Sequence, residues 1–224
     1  MRTTLRHNGL AIFFLAIFLL AVGFQALAGW HDFNNDQLRH GGDEISFGRY
    51  LFSAELGRAI LENWQSEYLQ FTLYILATVW LVQRGSPESK PLSNAGTESD
   101  EQQKLGPHAD RRSPRWAKAG GLRTCLLSNS LVIAMLAIWL GSWFGQSVTG
   151  RSAYNAELLE HHQAPLGYLE YIVTARFWEE TLQNWQSEFL AVGSMAIFAV
   201  YLRQRGSPES KPVGAAHDAT GRTG

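Results

Sequence analysis

The chain has no second cysteine. Cys125 is the only one, so no intrachain disulfide can form and the paired-cysteine metal and redox patterns are excluded. It has no excess of either charge: the formal net charge is −1 over 224 residues. That balance gives no electrostatic basis for binding nucleic acid. H-E-x-x-H, G-x-S-x-G, the phosphate-binding G-x-x-x-x-G-K-S/T and a Gly-rich dinucleotide fingerprint are all missing. The hydrolase and nucleotide-binding readings attached to those motifs go with them. Charged residues are only 17% of the chain, and four apolar stretches contain none.

Those stretches carry most of the apolar weight. The first, Gly9 to Ala28, is 20 residues long, enough at 1.5 Å per residue to cross a hydrocarbon core of about 30 Å. The third runs from Leu131 to Val148. The second, from about Tyr68 to Val82, and the fourth, from about Phe189 to Leu202, are shorter. They reach spanning length only if flanking residues sit at the interface. The first stretch has a rival reading. A basic start, an apolar run and Ala26-Leu27-Ala28 together resemble a cleavable signal peptide.

An internal duplication decides between the two. Displaced by 121 residues, the chain matches itself without a gap: Asn8 falls on Asn129, Gln25 on Gln146, His40 on His161 and Tyr50 on Tyr171. NWQSE at 63–67 recurs at 184–188, and QRGSPESKP at 83–91 recurs at 204–212, letter for letter. The first apolar stretch therefore corresponds to the third. The third lies mid-chain and cannot be a cleaved signal, so both are read as retained membrane helices. Each copy holds two spans, an even number, which makes the repeat parallel.

The expected fold is all-α, with four transmembrane helices from two parallel tandem two-helix repeats and amphipathic helices on the outer face. Repeat 1 covers 1–91 with spans at about 9–28 and 65–83. A flexible linker covers 92–121. Repeat 2 covers 122–212 with spans at about 130–148 and 186–203, and 213–224 is expected to be a disordered tail. The linker and tail are rich in Gly, Ser, Pro and charge and lack apolar periodicity. Ser53 and Thr174 are candidate helix caps. After them Leu56, Ile60, Leu61 and Trp64, and then Phe177, Trp178, Leu182 and Trp185, recur at helical spacing. Ala11, Ala16, Gly23, Gly141, Ser142 and Gly145 would let helices approach closely.

Basic residues set the orientation. Arg2, Arg6, Arg84, Arg111, Arg112, Arg115, Lys118, Arg123, Arg203 and Arg205 flank one end of the spans. Asp32, Asp36, Asp43, Glu44, Glu157, Glu160, Glu179 and Glu180 lie in the two long loops at the other. The positive-inside rule then places both termini and the linker in the cytoplasm. Trp30, Trp64 and Trp185 fall at an outer aromatic belt and Trp80 at an inner one.

Three constellations are candidates for chemistry. In the first, Glu67 and Glu188 at the mouths of spans two and four face each other, joined by Gln25, Gln146, Asn63 and Asn184. That would be a polar cluster for a cation or proton, because a carboxylate near the bilayer is costly and usually has a purpose. The plainer alternative is helix-bridging hydrogen bonds at a wet interface. In the second, Asp36 with His40 and Glu157 with His161 sit at i, i+4 spacing, which suits a weak metal site or proton relay. Solvated outer-loop residues are the plainer alternative. In the third, QRGSPESKP stops a helix: Gly85 ends it, Pro87 keeps it ended, Arg84 and Arg205 reach headgroups, and Glu88 and Lys90 are ordinary surface charge. A cytoplasmic partner could dock there.

The NWQSE and QRGSPESKP motifs, with a span between them, resemble a family of uncharacterised bacterial membrane proteins known only as a domain of unknown function. The resemblance covers all but the linker and tail. It implies a bacterial cytoplasmic (inner) membrane location and carries no activity, cofactor or site to transfer. The sequence thus points to an integral membrane protein of structural or accessory type in the bacterial envelope, without a catalytic signature. Its partners would be the lipid bilayer and possible further copies of itself. Two alternatives stay open: a small oligomeric ion or proton channel built on the polar cluster, and a metal-dependent membrane enzyme.

Overall fold

The computed structural model describes residues 6–222. Arg2, one of the residues that orient the chain, lies outside them. Among the described residues the chain is helical and contains no strand. The seven α-helices are α1 (Gly9–Arg39), α2 (Phe47–Tyr50), α3 (Ala54–Trp80), α4 (Gly121–Ser128), α5 (Ser130–Glu160), α6 (Tyr168–Ile172) and α7 (Ala175–Tyr201). The 121-residue displacement of the sequence reappears here: α1 maps onto α5, and α3 onto α7, at both ends. Asn8 and Asn129, equivalent residues, hold similar backbone angles just ahead of α1 and α5 (φ −120° and −114°).

Helices α1 and α5 run well past the expected spans. Each has 31 residues, about 46 Å of helix. The long loop expected from residue 29 is helical as far as Arg39. The residues after Trp30 contain no breaker until Gly41, which takes φ +76° and ends the helix. In the second copy His162 takes the left-handed conformation instead, at φ +56°.

The expectation of four membrane-crossing helices is corrected. Among the described residues two helices, α1 and α5, are by themselves long and apolar enough to cross a membrane, not four. The reason lies in α3 and α7. Each is a continuous 27-residue helix that joins an amphipathic start to an apolar end. The starts carry Glu55, Arg58, Glu62 and Glu67 in α3, and Arg176, Glu179, Glu180 and Glu188 in α7. The apolar remainder alone falls short of a spanning length, and a crossing there needs flanking residues at the interface. Both predicted caps form: Ser53 Oγ accepts from Leu56 N (3.2 Å) and Thr174 Oγ1 from Phe177 N (3.2 Å).

The chain divides into two compact units that do not coincide with the repeats. One is Met1–Ile60 with Gly145–Tyr168, the other Leu61–Phe144 with Leu169–Gly224. In the first, Ala26, Tyr50 and Leu56 are buried, with Trp30, Phe33, Ile45, Phe47 and Ile60 packed on them. A Cβ at Gly29 would run into the Tyr50 hydroxyl, which explains a glycine inside α1. The loop after α1 is pinned by Asn34. Its amide donates to Ile45 O (3.0 Å) and accepts from Ile45 N (2.9 Å). Asn155 makes the same two bonds to Leu166 (3.0 and 2.8 Å). Gln37 and Glu160, near the C-terminal ends of α1 and α5, are 3.4 Å apart.

In the second unit Trp143 is ringed by Trp139, Phe177, Trp178 and Trp185, with centroids 5.8–6.3 Å away. The linker is folded into three short 3-10 turns, Leu92–Asn94, Gly106–His108 and Arg115–Lys118. Lys90 reaches Gly96 O (3.0 Å), and Gly96 N reaches back to Val79 O (2.7 Å).

Candidate functional site

The two NWQSE motifs meet inside the second unit. Trp185 Nε1 donates to Gln65 Oε1 (2.8 Å), and Gln65 Nε2 donates to Thr181 O (3.5 Å). Asn184 Nδ2 donates to Glu62 Oε1 (2.9 Å). Gln65, Ser66 and Thr181 are buried. Glu188 lies within electrostatic reach of Glu67, so the two equivalent carboxylates repel each other. Each helix thus lends the other a donor or an acceptor that would otherwise be costly to bury.

The other members of the expected cluster are placed differently. Gln25 and Gln146 belong to the first unit, and Asn63 is exposed on α3. Gln25 is exposed on α1, whereas Gln146 is fully buried and, among the described residues, neither its Nε2 nor its Oε1 has a hydrogen-bond partner. Sequence reasoning passed over Glu62, Gln65 and Trp185 as hydrogen-bonding residues. The signal was available, since two of them are letters of the repeated motif.

The acid–histidine pairs remain pairs. His40 Nδ1 lies 2.9 Å from Asp36 O and 3.5 Å from Asp36 Oδ1, with both side chains more than half exposed. His161 and Glu157 are linked by the helical N–H to O bond (3.2 Å). Among the described residues no third histidine, cysteine or carboxylate joins either pair to make a group that could hold a metal ion.

The two QRGSPESKP segments fold alike. Ser89 Oγ accepts from Gln83 N (3.0 Å), and Ser210 Oγ from Gln204 N (2.9 Å). Gly85 and Gly206 take φ +89° and +83°, the left-handed region that suits glycine. Glu88 and Lys90 are not ordinary surface charge. Tyr74 Oη donates to Glu88 Oε2 (2.5 Å), and the carboxyl of Glu209, its equivalent in copy two, lies within its electrostatic reach. Lys211 is buried, with Nζ donating to Ala216 O (3.2 Å) and His217 O (2.7 Å). That burial, and Arg203 beside it, push its ammonium below the usual lysine range.

Residues 213–222, expected to be a disordered tail, lie along the first segment. Arg84 meets Asp218 (3.1 Å), Thr220 Oγ1 accepts from Gly85 N (2.8 Å), and Gly221 N donates to Ser86 O (3.0 Å). The chain's own tail therefore lies over the first of these segments.

The hydrogen bond and the like charge of Glu88 hold the Glu209 carboxyl above the usual carboxylate range. A carboxyl raised in this way adds stability below its unfolded value, and that stability is lost as pH rises through the folded one. As pH rises above the ordinary glutamate value of about 4.3, wild-type chain should therefore lose more melting temperature than Glu209→Gln, whose amide donates without ionising. Parallel profiles for the two proteins would show that the pair does not titrate in this way.

These features define an all-helical protein with two candidate membrane-crossing helices and two interlocked sets of identical polar motifs. The chain belongs to the family described as Domain of unknown function (DUF6766), whose model matches residues 1–222. No curated protein and no solved structure matches it.

Proposed function

We propose that the chain is an integral protein of the bacterial cytoplasmic membrane with a structural or accessory role. One observation carries the reading. The apolar windows of α1 and α5 are only 6% and 17% buried by the chain. A helix in the core of a water-soluble protein would cover that surface, because exposed apolar area costs about 25 cal/mol per Å². Lipid covers it without cost.

The nearness of Gln37 to Glu160 supports a parallel arrangement, in which α1 and α5 leave the bilayer on the same side. The chain between two such crossings must return. The apolar end of α3 is the segment available for it, and α7 serves the second copy. Both are short, so their Trp-bearing starts would rest at the outer interface. The termini and linker then lie in the cytoplasm. The accessory role is supported by the site itself, where Trp185 donates to Gln65 and Asn184 to Glu62 so that helix-bridging bonds take up the motif's polar groups.

Cys125→Ser chain carrying a single cysteine at Asp43 or at Gln102 tests the arrangement. In intact cells an impermeant maleimide should label position 43 and spare position 102, with both proteins retained in alkali-washed membranes. Release by alkali would sink the membrane reading, and the reverse labelling would sink the orientation. The repelling Glu67 and Glu188 favour a channel as the second reading. Proton or cation flux in proteoliposomes that is lost in Glu67→Gln/Glu188→Gln would establish it.

A further inference from the structure

The duplication places the same helix face twice, in different surroundings. On α5, Met135, Trp139, Ser142, Gln146 and Thr149 follow steps of four, three, four and three residues. Ser142 and Gln146 are buried and the other three half-buried. The equivalent positions on α1 are Phe14, Phe18, Ala21, Gln25 and Ala28, and every one is exposed. The steps average 3.5 residues, the spacing that keeps a seam facing a partner helix.

The fourth of these five exposed positions is an amide. Gln25 has no hydrogen-bond partner among the described residues. Lipid tails satisfy Phe14 and Phe18, but they offer nothing to an amide, whose transfer to an apolar medium without a partner is unfavourable. The occupant of the seam therefore has to supply both an acceptor and a donor at one depth. A second Gln25 does so, because an amide is its own complement across a twofold axis. Ala21 and Ala28 flank it on the same face and let two backbones come close.

We propose that α1 is the contact helix of a homodimer, in which the α1 seams of two copies pack together and their Gln25 amides bond reciprocally. This rests on the reading that α1 crosses the bilayer. It goes beyond that reading by naming the surface, the partner and the residue that sets the register.

The test uses the full chain with Cys125→Ser in phosphatidylethanolamine/phosphatidylglycerol vesicles. Ala21→Cys and Ala28→Cys should form disulfide dimers under mild oxidation. Leu27→Cys, roughly 160° round the helix from Gln25, should stay monomeric. In the same vesicles Gln25→Leu should weaken the dimer about three- to thirty-fold, measured by energy transfer between labelled copies, and Gln25→Asn should restore most of it. Equal crosslinking at position 27, or a dimer indifferent to Gln25→Leu, would overturn the proposal. So would a monomer in vesicles whose positions 21 and 28 crosslink in cells only to a protein of different mass. Chain that sediments with alkali-washed vesicles yet stays monomeric defeats the dimer alone. Chain that does not sediment defeats the membrane reading beneath it.

Discussion

Asn34→Leu is expected to cost about 2–4 kcal/mol of stability. Leucine fits the space but satisfies neither backbone group of Ile45. The Ile45 N–H loses its acceptor, and the Ile45 carbonyl keeps only the Trp30 indole (2.7 Å). Asn34 is only 6% exposed, so water is badly placed to replace the amide. Asn155→Leu should cost less, about 1–2 kcal/mol, because Asn155 is half-buried and water can reach its loop. Unfolding in detergent, with amide exchange at Ile45 and Leu166, measures both. A loss below about 0.5 kcal/mol for Asn34→Leu, the range of an ordinary surface change, would show that the loop holds without its amide clamp.

Gly85→Ala and Gly206→Ala should differ although the residues occupy equivalent places in identical motifs. Both take left-handed angles, so alanine costs each about 1–2 kcal/mol of backbone strain. At Gly206 nothing lies within 4 Å of an added Cβ, and the cost should end there. At Gly85 the Cβ would strike the His217 carbonyl of the docked tail and approach Val200 Cγ1 to 2.9 Å. Relieving that clash should add about 1–3 kcal/mol and release the tail, freeing the backbone before the already exposed Arg222 for tryptic cleavage. Chain truncated after Pro212 supplies the control, since without the tail the two substitutions should cost nearly the same. Equal costs in the full chain would mean that the tail does not sit on Gly85.

Local chemistry made much of this structure legible in advance. The caps at Ser53 and Thr174 are side-chain-to-backbone bonds three residues apart, and a sequence contains everything such a bond requires. The left-handed turns at Gly85 and Gly206 suit the residue type, but the helices end at Trp80 and Tyr201, ahead of the glycines that were expected to end them. Helix length was less legible. Residues 31 to 39 read as a loop because they are polar and acidic. They are helical because nothing in them breaks a helix already under way and because Asn34 and Phe33 find partners on the later loop.

The candidate sites divide along the same line. The sequence alone determined the duplication, the apolar character of α1 and α5, and the identity of the polar motifs, because these depend on residue order and on solvent preference. Tertiary structure decided which copies of those residues meet. Gln25 and Gln146 are equivalent letters, yet one is bare and the other enclosed. Glu88 read as surface charge, yet it accepts from the Tyr74 hydroxyl and lies within electrostatic reach of Glu209. Burial and hydrogen bonding belong to the neighbours a residue acquires when distant segments pack. Two identical motifs, given different neighbours, therefore become different places in the protein.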